Sequence, residues 1–130
     1  MKGQIALITI LTDNVKQLAG FYQSVLGFQL QQDLDQYVEL VNPGVRFAIC
    51  ARSVMESSTG NAIFHEPRSG QTFELAFPLA SAAEVDLAYA DIIGQGAIPI
   101  QPPENMPWNQ RTAFFADPDG NIHELFADLG

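Results

Sequence analysis

The sequence predicts an α+β fold in which two tandem βαβββ modules form a curved mixed sheet around a cleft. Three observations support this class: two amphipathic helical segments, one strand-like run before each helix with three after it, and a similar turn before each half's last strand. With 130 residues and 47% hydrophobic content, the chain is expected to form a single domain. We assign module one to residues 1–52, a linker to 53–70 and module two to 71–130.

The first module begins with an apolar run, Gln4–Leu11, that predicts a strand. Apolar residues then recur at helical spacing over Asn14–Leu26, and Gly27 is suited to end this helix in a left-handed conformation. Three further strands are predicted over Phe28–Leu34, Gln36–Val41 and Val45–Ala51.

The second module has the same order of elements. A strand is predicted over Gln71–Leu79, followed by a helix that ends near Gly94. Ser81 and Glu84 have the spacing of a capping box at the start of this helix. The remaining strands are predicted over Ala97–Gln101, Gln110–Ala116 and Asn121–Phe126.

The two modules are internal repeats. Tyr22 and Tyr89 lie 67 positions apart and occupy matching places in the two helices. The turn Asp117-Pro118-Asp119-Gly120 corresponds to Asn42-Pro43-Gly44, with an offset that becomes 76 in the strand that follows. The segment Ser53–Gly70 is rich in serine and other polar residues, so we expect a linker that is long enough to act as a lid.

Composition limits the class of partner. Six basic and fifteen acidic residues give a net charge of −9, which argues against nucleic acid and anionic membranes and favours a cationic small ligand. No apolar run reaches membrane-spanning length and no signal-peptide pattern is present, so a cytoplasmic location is expected. Cys50 is the single cysteine, which excludes an internal disulfide and a cysteine-cluster metal site.

Strand alternation indicates which side chains face the cleft. Glu124 shares a strand face with Ile122 and Phe126, and a carboxylate amid so much apolar surface needs a partner or a ligand. Glu74 is predicted on the same cavity, because the alternate residues from Phe73 to Leu79 form an apolar face suited to the helix. The full predicted wall is Leu7, Thr9, Tyr37, Glu39, Arg46, Ala48, Glu74, Thr112, Phe114, Ile122, Glu124 and Phe126.

The motifs together resemble a known superfamily. They are the doubled βαβββ pattern, Phe21-Tyr22 followed by Val25-Leu26-Gly27-Phe28, and the entry Asp117-Pro118-Asp119-Gly120-Asn121 that leads to Glu124. In these features the whole chain resembles the vicinal oxygen chelate superfamily of glyoxalases, bleomycin resistance proteins and extradiol dioxygenases. The resemblance implies the fold but not the reaction, because members range from lyases, isomerases and dioxygenases to metal-free drug-binding proteins. It also implies a homodimer in which each cavity combines modules from both chains.

The same resemblance implies four metal-ligand positions, on the first and last strands of each module. Matching the repeats assigns them to Leu7, Ala48, Glu74 and Glu124. Two glutamates alone make a weak site for Zn²⁺ or Mn²⁺, which favour three or four protein donors. No metal or other cofactor is therefore predicted. The alternative is a divalent metal ion whose coordination shell is completed by water and a side chain from the linker.

Several candidates have alternative interpretations. Glu74 and Glu124 either contact a ligand, pair with Arg46 or Arg111, or sit together with one of them protonated. Glu39 is expected to be a surface residue. Arg46 is either a structural counter-ion or an anchor for a substrate carboxylate.

The remaining chemically active residues have mainly structural interpretations. Trp108, in a loop predicted over residues 102–109, either stacks on a ligand or fills an interface, and the second is the more common role. His123 alternates with Glu124 and is expected in the core, whereas His65 in the linker is expected in solvent. Cys50 is expected to pack as a small hydrophobic residue.

Two function classes remain. The first is a metal-free protein that binds an aromatic or cationic small molecule in an acidic, aromatic-lined cleft. Its candidate binding residues are Leu7, Tyr37, Arg46, Ala48, Glu74, Trp108, Phe114, Glu124 and Phe126. The second is a glyoxalase-like lyase, isomerase or dioxygenase in which Glu74 or Glu124 serves as a metal ligand or as a general base.

Overall fold

The computed structural model describes all 130 residues and confirms the α+β class. The chain divides into two compact units, Met1–Ser69 and Gly70–Gly130. The first unit contains β1 (Leu7–Thr12), α1 (Val15–Ser24), β2 (Leu30–Asp33), β3 (Tyr37–Leu40), β4 (Arg46–Ala51), α2 (Arg52–Thr59) and a 3₁₀-helix (Ala62–His65). The second contains β5 (Ala76–Pro78), α3 (Ala82–Gly94), β6 (Ile98–Met106), β7 (Gln110–Ala116) and β8 (Ile122–Asp128). None of the helices combines the length and hydrophobicity needed to cross a membrane.

The sheet topology confirms the tandem βαβββ modules. The strand orders are β1-β4-β3-β2 and β5-β8-β7-β6, and in each sheet only the first pair is parallel. Thr9 lies opposite Ala48 in the first sheet, and Ala76 lies opposite Glu124 in the second. These two pairs match under the offsets of 67 and 76 that the sequence predicted, so the alignment of the repeats is correct.

The helices α1 and α3 each bury an apolar stripe against the sheet of their own unit. In the first unit Leu18 and Tyr22 are fully buried, and the Tyr22 ring lies 5.2 Å from that of Phe47. In the second unit Val85 on α3 and Phe115 on β7 are fully buried. Burial of such side chains contributes roughly 1.5–3 kcal/mol each, which fixes one face of each sheet beneath its helix.

Two regions that the sequence predicts to be irregular contain regular secondary structure. The segment predicted as a linker contains α2 and the 3₁₀-helix. Arg52, the first residue of α2, connects the two helices, because its guanidinium donates to the carbonyls of Phe64 (2.9 Å) and Glu66 (2.6 Å). The predicted loop 102–109 is wrong over most of its length, because β6 continues to Met106. Its prolines are tolerated because β6 is an edge strand with register shifts between Pro99 and Glu104.

The first strand of module two is shorter than predicted. Only Ala76–Pro78 forms β5, and Phe73 is 56% exposed, so its expected place beneath the helix is wrong. The preceding residues are held to β8 by side chains. The side-chain amide of Gln71 donates from Nε2 to the carbonyl of Ile122 (2.8 Å) and accepts at Oε1 from the backbone amide of Ile122 (3.2 Å). These two bonds take the place of the backbone strand pairing that alternation predicts here.

Candidate functional site

A rigid turn positions Glu124. The fully buried carboxylate of Asp117 accepts hydrogen bonds from the backbone amides of Asp119 (3.0 Å) and Asn121 (2.9 Å). Gly120 adopts a φ of 83°, a left-handed conformation that favours glycine. The strand that follows alternates as predicted: His123, Leu125 and Ala127 are buried, whereas Ile122, Glu124 and Phe126 are half-buried. The turn therefore fixes which face of β8 carries Glu124.

The segment that carries Glu74 is attached to the same strand. The backbone amide of Glu124 donates to the carbonyl of Leu75 at 2.9 Å. The backbone amide of Leu75 in turn donates to Nδ1 of His123 at 3.1 Å. Together with the two bonds from Gln71, these contacts bring Glu74 to Glu124.

The carboxyl group of Glu74 lies within hydrogen-bonding reach of the carboxyl group of Glu124. Burial of Glu124, followed by hydrogen bonding with Glu74 and by the charge of Glu74, raises the pKa of Glu124 to about 7. Near neutral pH Glu124 therefore holds a proton for part of the time. The alternative partners proposed from the sequence are engaged elsewhere, since Arg46 bonds Glu39 and Arg111 bonds Asp86.

Aromatic and small residues surround Glu124 on its sheet face. Phe114 lies directly opposite Glu124 in the β7–β8 ladder, and Thr112 lies opposite Phe126. Directly opposed residues in an antiparallel pair point to the same face. The hydroxyl of Thr112 is buried without a hydrogen-bond partner. This face thus combines an acidic pair, two phenylalanines and one unsatisfied hydroxyl.

The equivalent part of the first unit has different chemistry. Glu39 is only 8% exposed, so its predicted surface position is wrong. Its carboxylate accepts from the hydroxyl of Tyr37 at 3.1 Å and from Nε of Arg46 at 2.9 Å. The bond from Arg46 lowers the pKa of Glu39 against the opposing effect of burial, while burial raises the pKa of Tyr37. Arg46 is therefore a counter-ion, with its side chain still 61% exposed.

The donor set does not fit a metal centre of the resembled enzymes. Leu7 and Ala48 hold two of the four implied positions and have no donor atom. Neither unit brings together three His, Cys, Asp or Glu side chains that could hold a metal ion.

The other predicted residues are dispersed. Trp108 lies in the turn after β6, is 61% exposed and donates from Nε1 to Gln110 at 3.1 Å. His123 is buried, as the sequence predicts. Cys50 is also buried, and this burial raises the pKa of its thiol. The sequence did not predict the roles of Gln71 and His123 in holding the Glu74 segment. Hydrogen bonds from a side chain to the backbone of a neighbouring strand leave no periodic pattern in the sequence.

Comparison with known proteins identifies a family. Residues 4–125 match the model of the glyoxalase/bleomycin resistance protein/dioxygenase superfamily. A glyoxalase/bleomycin resistance protein/dioxygenase from Nocardioides is 29% identical, with a TM-score of 0.87 over 99% of this chain and 85% of that chain. A family enzyme from Burkholderia phytofirmans PsJN is 24% identical, with a TM-score of 0.88 over 98% and 100%. A lactoylglutathione lyase from Agrobacterium tumefaciens is 22% identical, with a TM-score of 0.71 over 97% and 94%. No curated protein matches the sequence.

Proposed function

Because the chain belongs to the glyoxalase/bleomycin resistance protein/dioxygenase superfamily, we propose that it is a metal-free binding protein for a cationic aromatic small molecule. Glu74 and Glu124 accept the cationic group, and Phe114 and Phe126 contact the ring. The net charge of −9 favours the approach of such a ligand. The Leu7 and Ala48 positions support the metal-free part of the proposal, because they contribute no ligand.

The hydrogen-bonded pair of glutamates is the observation that carries this proposal. Burial of the half-buried Glu124 carboxyl, together with the neighbouring carboxyl of the exposed Glu74, favours a retained proton, with the pKa of Glu124 at about 7. A cation at the pair would supply the missing counter-charge and displace that proton. An amidinium or ammonium group is suited to this role because its N–H donors match carboxylate oxygens.

The same pKa favours a second candidate function. A carboxylate that titrates near neutral pH is suited to act as a general base on a C–H bond next to a carbonyl group. In that reaction Glu124 would remove the proton and return it to the same or a neighbouring atom. Solvent-deuterium incorporation into a carbonyl probe, lost in Glu124→Gln, would distinguish this isomerase-like activity from binding alone.

Calorimetric titration with benzamidine and benzamide tests the binding function. The two probes have almost the same shape, but only benzamidine is a cation. At pH 8 and low salt we expect benzamidine to bind about tenfold or more tightly than benzamide, the ratio expected for a charge-assisted hydrogen bond. Glu124→Gln should remove this preference, whereas the charge-matched control Glu104→Gln, at an exposed site on β6, should retain it. Equal binding of both probes, or an unchanged preference in Glu124→Gln, would contradict the proposal.

A homodimer in the cytoplasm is the assembly and location proposed with this function. The dimer is expected from the resemblance to the small members of the family. Light scattering should give a mass near twice that of the 14.2 kDa chain. A monomer at micromolar concentration would contradict this part of the proposal without affecting the assignment of Glu124.

A further inference from the structure

A second candidate site is a cavity that lies entirely within the first unit, whereas the glutamate pair belongs to the second. Its volume is about 380 Å³, which falls within the range of roughly 300–1,000 Å³ typical of small-molecule pockets. It is formed where β1 and β4 end, beside α2 and the 3₁₀-helix. Its lining includes Asp13, Arg52, Glu56, Phe64 and His65.

Arg52 gives one wall of this cavity a positive charge. Its side chain is only 17% exposed, and its Nε and one terminal nitrogen donate to the carbonyls of Phe64 and Glu66. These carbonyls orient the guanidinium but carry no full negative charge. The carboxylate of Asp13 lies 3.9 Å from Nε, which makes an ion pair that is too long for a hydrogen bond. The cation is therefore held in place with donor capacity left for an anionic group.

Two carboxylates give the same cavity a negative side. The side chain of Asp13 is 93% exposed, so its oxygens are open to a ligand. Glu56 has one oxygen 3.2 Å from Nδ1 of His65, and 37% of its side chain is exposed. Phe64, which is half-buried, adds an apolar surface to the lining.

We propose that this cavity binds a small zwitterion of the α-amino-acid type. Arg52 binds the carboxylate, Asp13 and Glu56 bind the ammonium group, and Phe64 contacts the side chain. A simple anion would be repelled by the two acidic residues, and a simple cation would make no favourable contact with Arg52. A ligand with both charges satisfies each wall, and the cavity is large enough for it. This site is independent of the function proposed for Glu124.

A matched set of three probes tests the proposal: leucine, 3-methylbutylamine, which lacks the carboxylate, and 4-methylpentanoate, which lacks the ammonium group. Backbone amide NMR shifts are followed during each titration. Leucine should shift amides in residues 51–56 and 64–66 with a saturating curve, and the other two probes should bind about tenfold or more weakly because each loses one charged contact. No saturable shift with leucine, or equal binding of all three, would overturn the proposal.

Variants separate this site from the glutamate pair and from damage to the fold. Asp13→Asn combined with Glu56→Gln should weaken leucine binding and improve binding of 4-methylpentanoate, since the repulsion of the anion is removed. A general loss of structure could not produce these opposite changes. Arg52→Gln should reduce binding of both leucine and 4-methylpentanoate. Glu124→Gln should leave leucine binding unchanged, and the Asp13 and Glu56 substitutions should leave benzamidine binding unchanged. Loss of leucine binding in Glu124→Gln, with binding retained in the Asp13 and Glu56 double variant, would assign the zwitterion to the glutamate pair.

Discussion

Glu124 and Glu74 share a hydrogen bond, and burial together with the charge of Glu74 raises the pKa of Glu124 to about 7. An arrangement of this kind is costly above neutral pH, because a partly buried carboxylate then loses its proton beside a second carboxylate. A protein that needed Glu124 only for stability would gain from an apolar residue at this position. The pair therefore lowers folding stability above neutral pH, and the binding function proposed above would give it a purpose.

The first prediction concerns stability against pH. The folded-state pKa of Glu124 lies above its ordinary value of 4.5, so the folded chain binds the extra proton between about pH 4.5 and 7. Protonated Glu124 contributes fully to the stability of the folded state below pH 4.5, and this contribution is lost as the pH rises through 7. Thermal unfolding at pH 8 should therefore give a higher Tm for Glu124→Gln by about 3–6 °C, equivalent to roughly 1 kcal/mol after solvent screening.

The difference between the two proteins should shrink towards pH 5, where Glu124 is already neutral. Glu104→Gln should follow the wild type at every pH. If the difference in Tm between Glu124→Gln and the wild type does not grow from pH 5 to pH 8, the pKa of Glu124 is not raised.

The second prediction concerns Gln71, which ties the Glu74 segment to β8 through Ile122. Gln71→Ala should loosen this segment and lower the pKa of Glu124, because the hydrogen bond with Glu74 and its charge are weakened. The effect on global stability should be small, about 0.5–1.5 kcal/mol, since the side chain is exposed. Side-chain carboxyl NMR during a pH titration measures the pKa directly. Glu74→Gln should shift it in the same direction, and a pKa unchanged by Gln71→Ala would remove the positioning role of Gln71.

The third prediction concerns Arg46 and Glu39. Arg46→Met removes the guanidinium that lowers the pKa of Glu39 and leaves its buried carboxylate with only Tyr37. The pKa of Glu39 should therefore rise. Its depressed pKa contributes stability above the ordinary value of 4.5 that is lost as pH falls, so Arg46→Met should lower Tm more at pH 7 than at pH 4. An equal loss at both pH values would indicate that Arg46 acts through packing alone.

The fourth prediction concerns metal ions. With no donor at Leu7 or Ala48, a thermal-shift series with Mn²⁺, Ni²⁺, Zn²⁺ and Fe²⁺ should raise Tm by no more than about 1 °C, because only a ligand that binds the folded state stabilises it. Elemental analysis of the native protein should find less than stoichiometric metal. A stoichiometric metal that is lost in Glu124→Ala would contradict the metal-free function.

The internal repeat makes much of the fold predictable from sequence. It predicts the order of elements in each module and the offsets under which the pair Thr9/Ala48 corresponds to Ala76/Glu124. Alternation along the last strand also predicts that Glu124 and His123 lie on opposite faces, as they do. These features depend on periodicity and spacing, which a sequence carries directly.

Other features depend on contacts that spacing does not encode. The helix α2 forms in a serine-rich segment whose local propensity is weak, and Arg52 joins it to the 3₁₀-helix that follows. Glu39 is buried because Arg46 and Tyr37 satisfy it, and alternation could not identify that pairing. The short β5 results from the side chain of Gln71 taking over backbone hydrogen bonds.

Proton release on ligand binding tests the central claim most directly. At pH 6 most Glu124 side chains hold a proton, because the pKa is about 7, and a cation at the pair must displace it. Benzamidine titrations in buffers of different ionisation enthalpy should therefore show release of about one proton per ligand at pH 6, falling towards zero at pH 8.5. Glu124→Gln should release none at either pH. Binding of benzamidine with no proton release at pH 6, or with the same release in Glu124→Gln, would contradict the assignment of the Glu74–Glu124 pair as the ligand site.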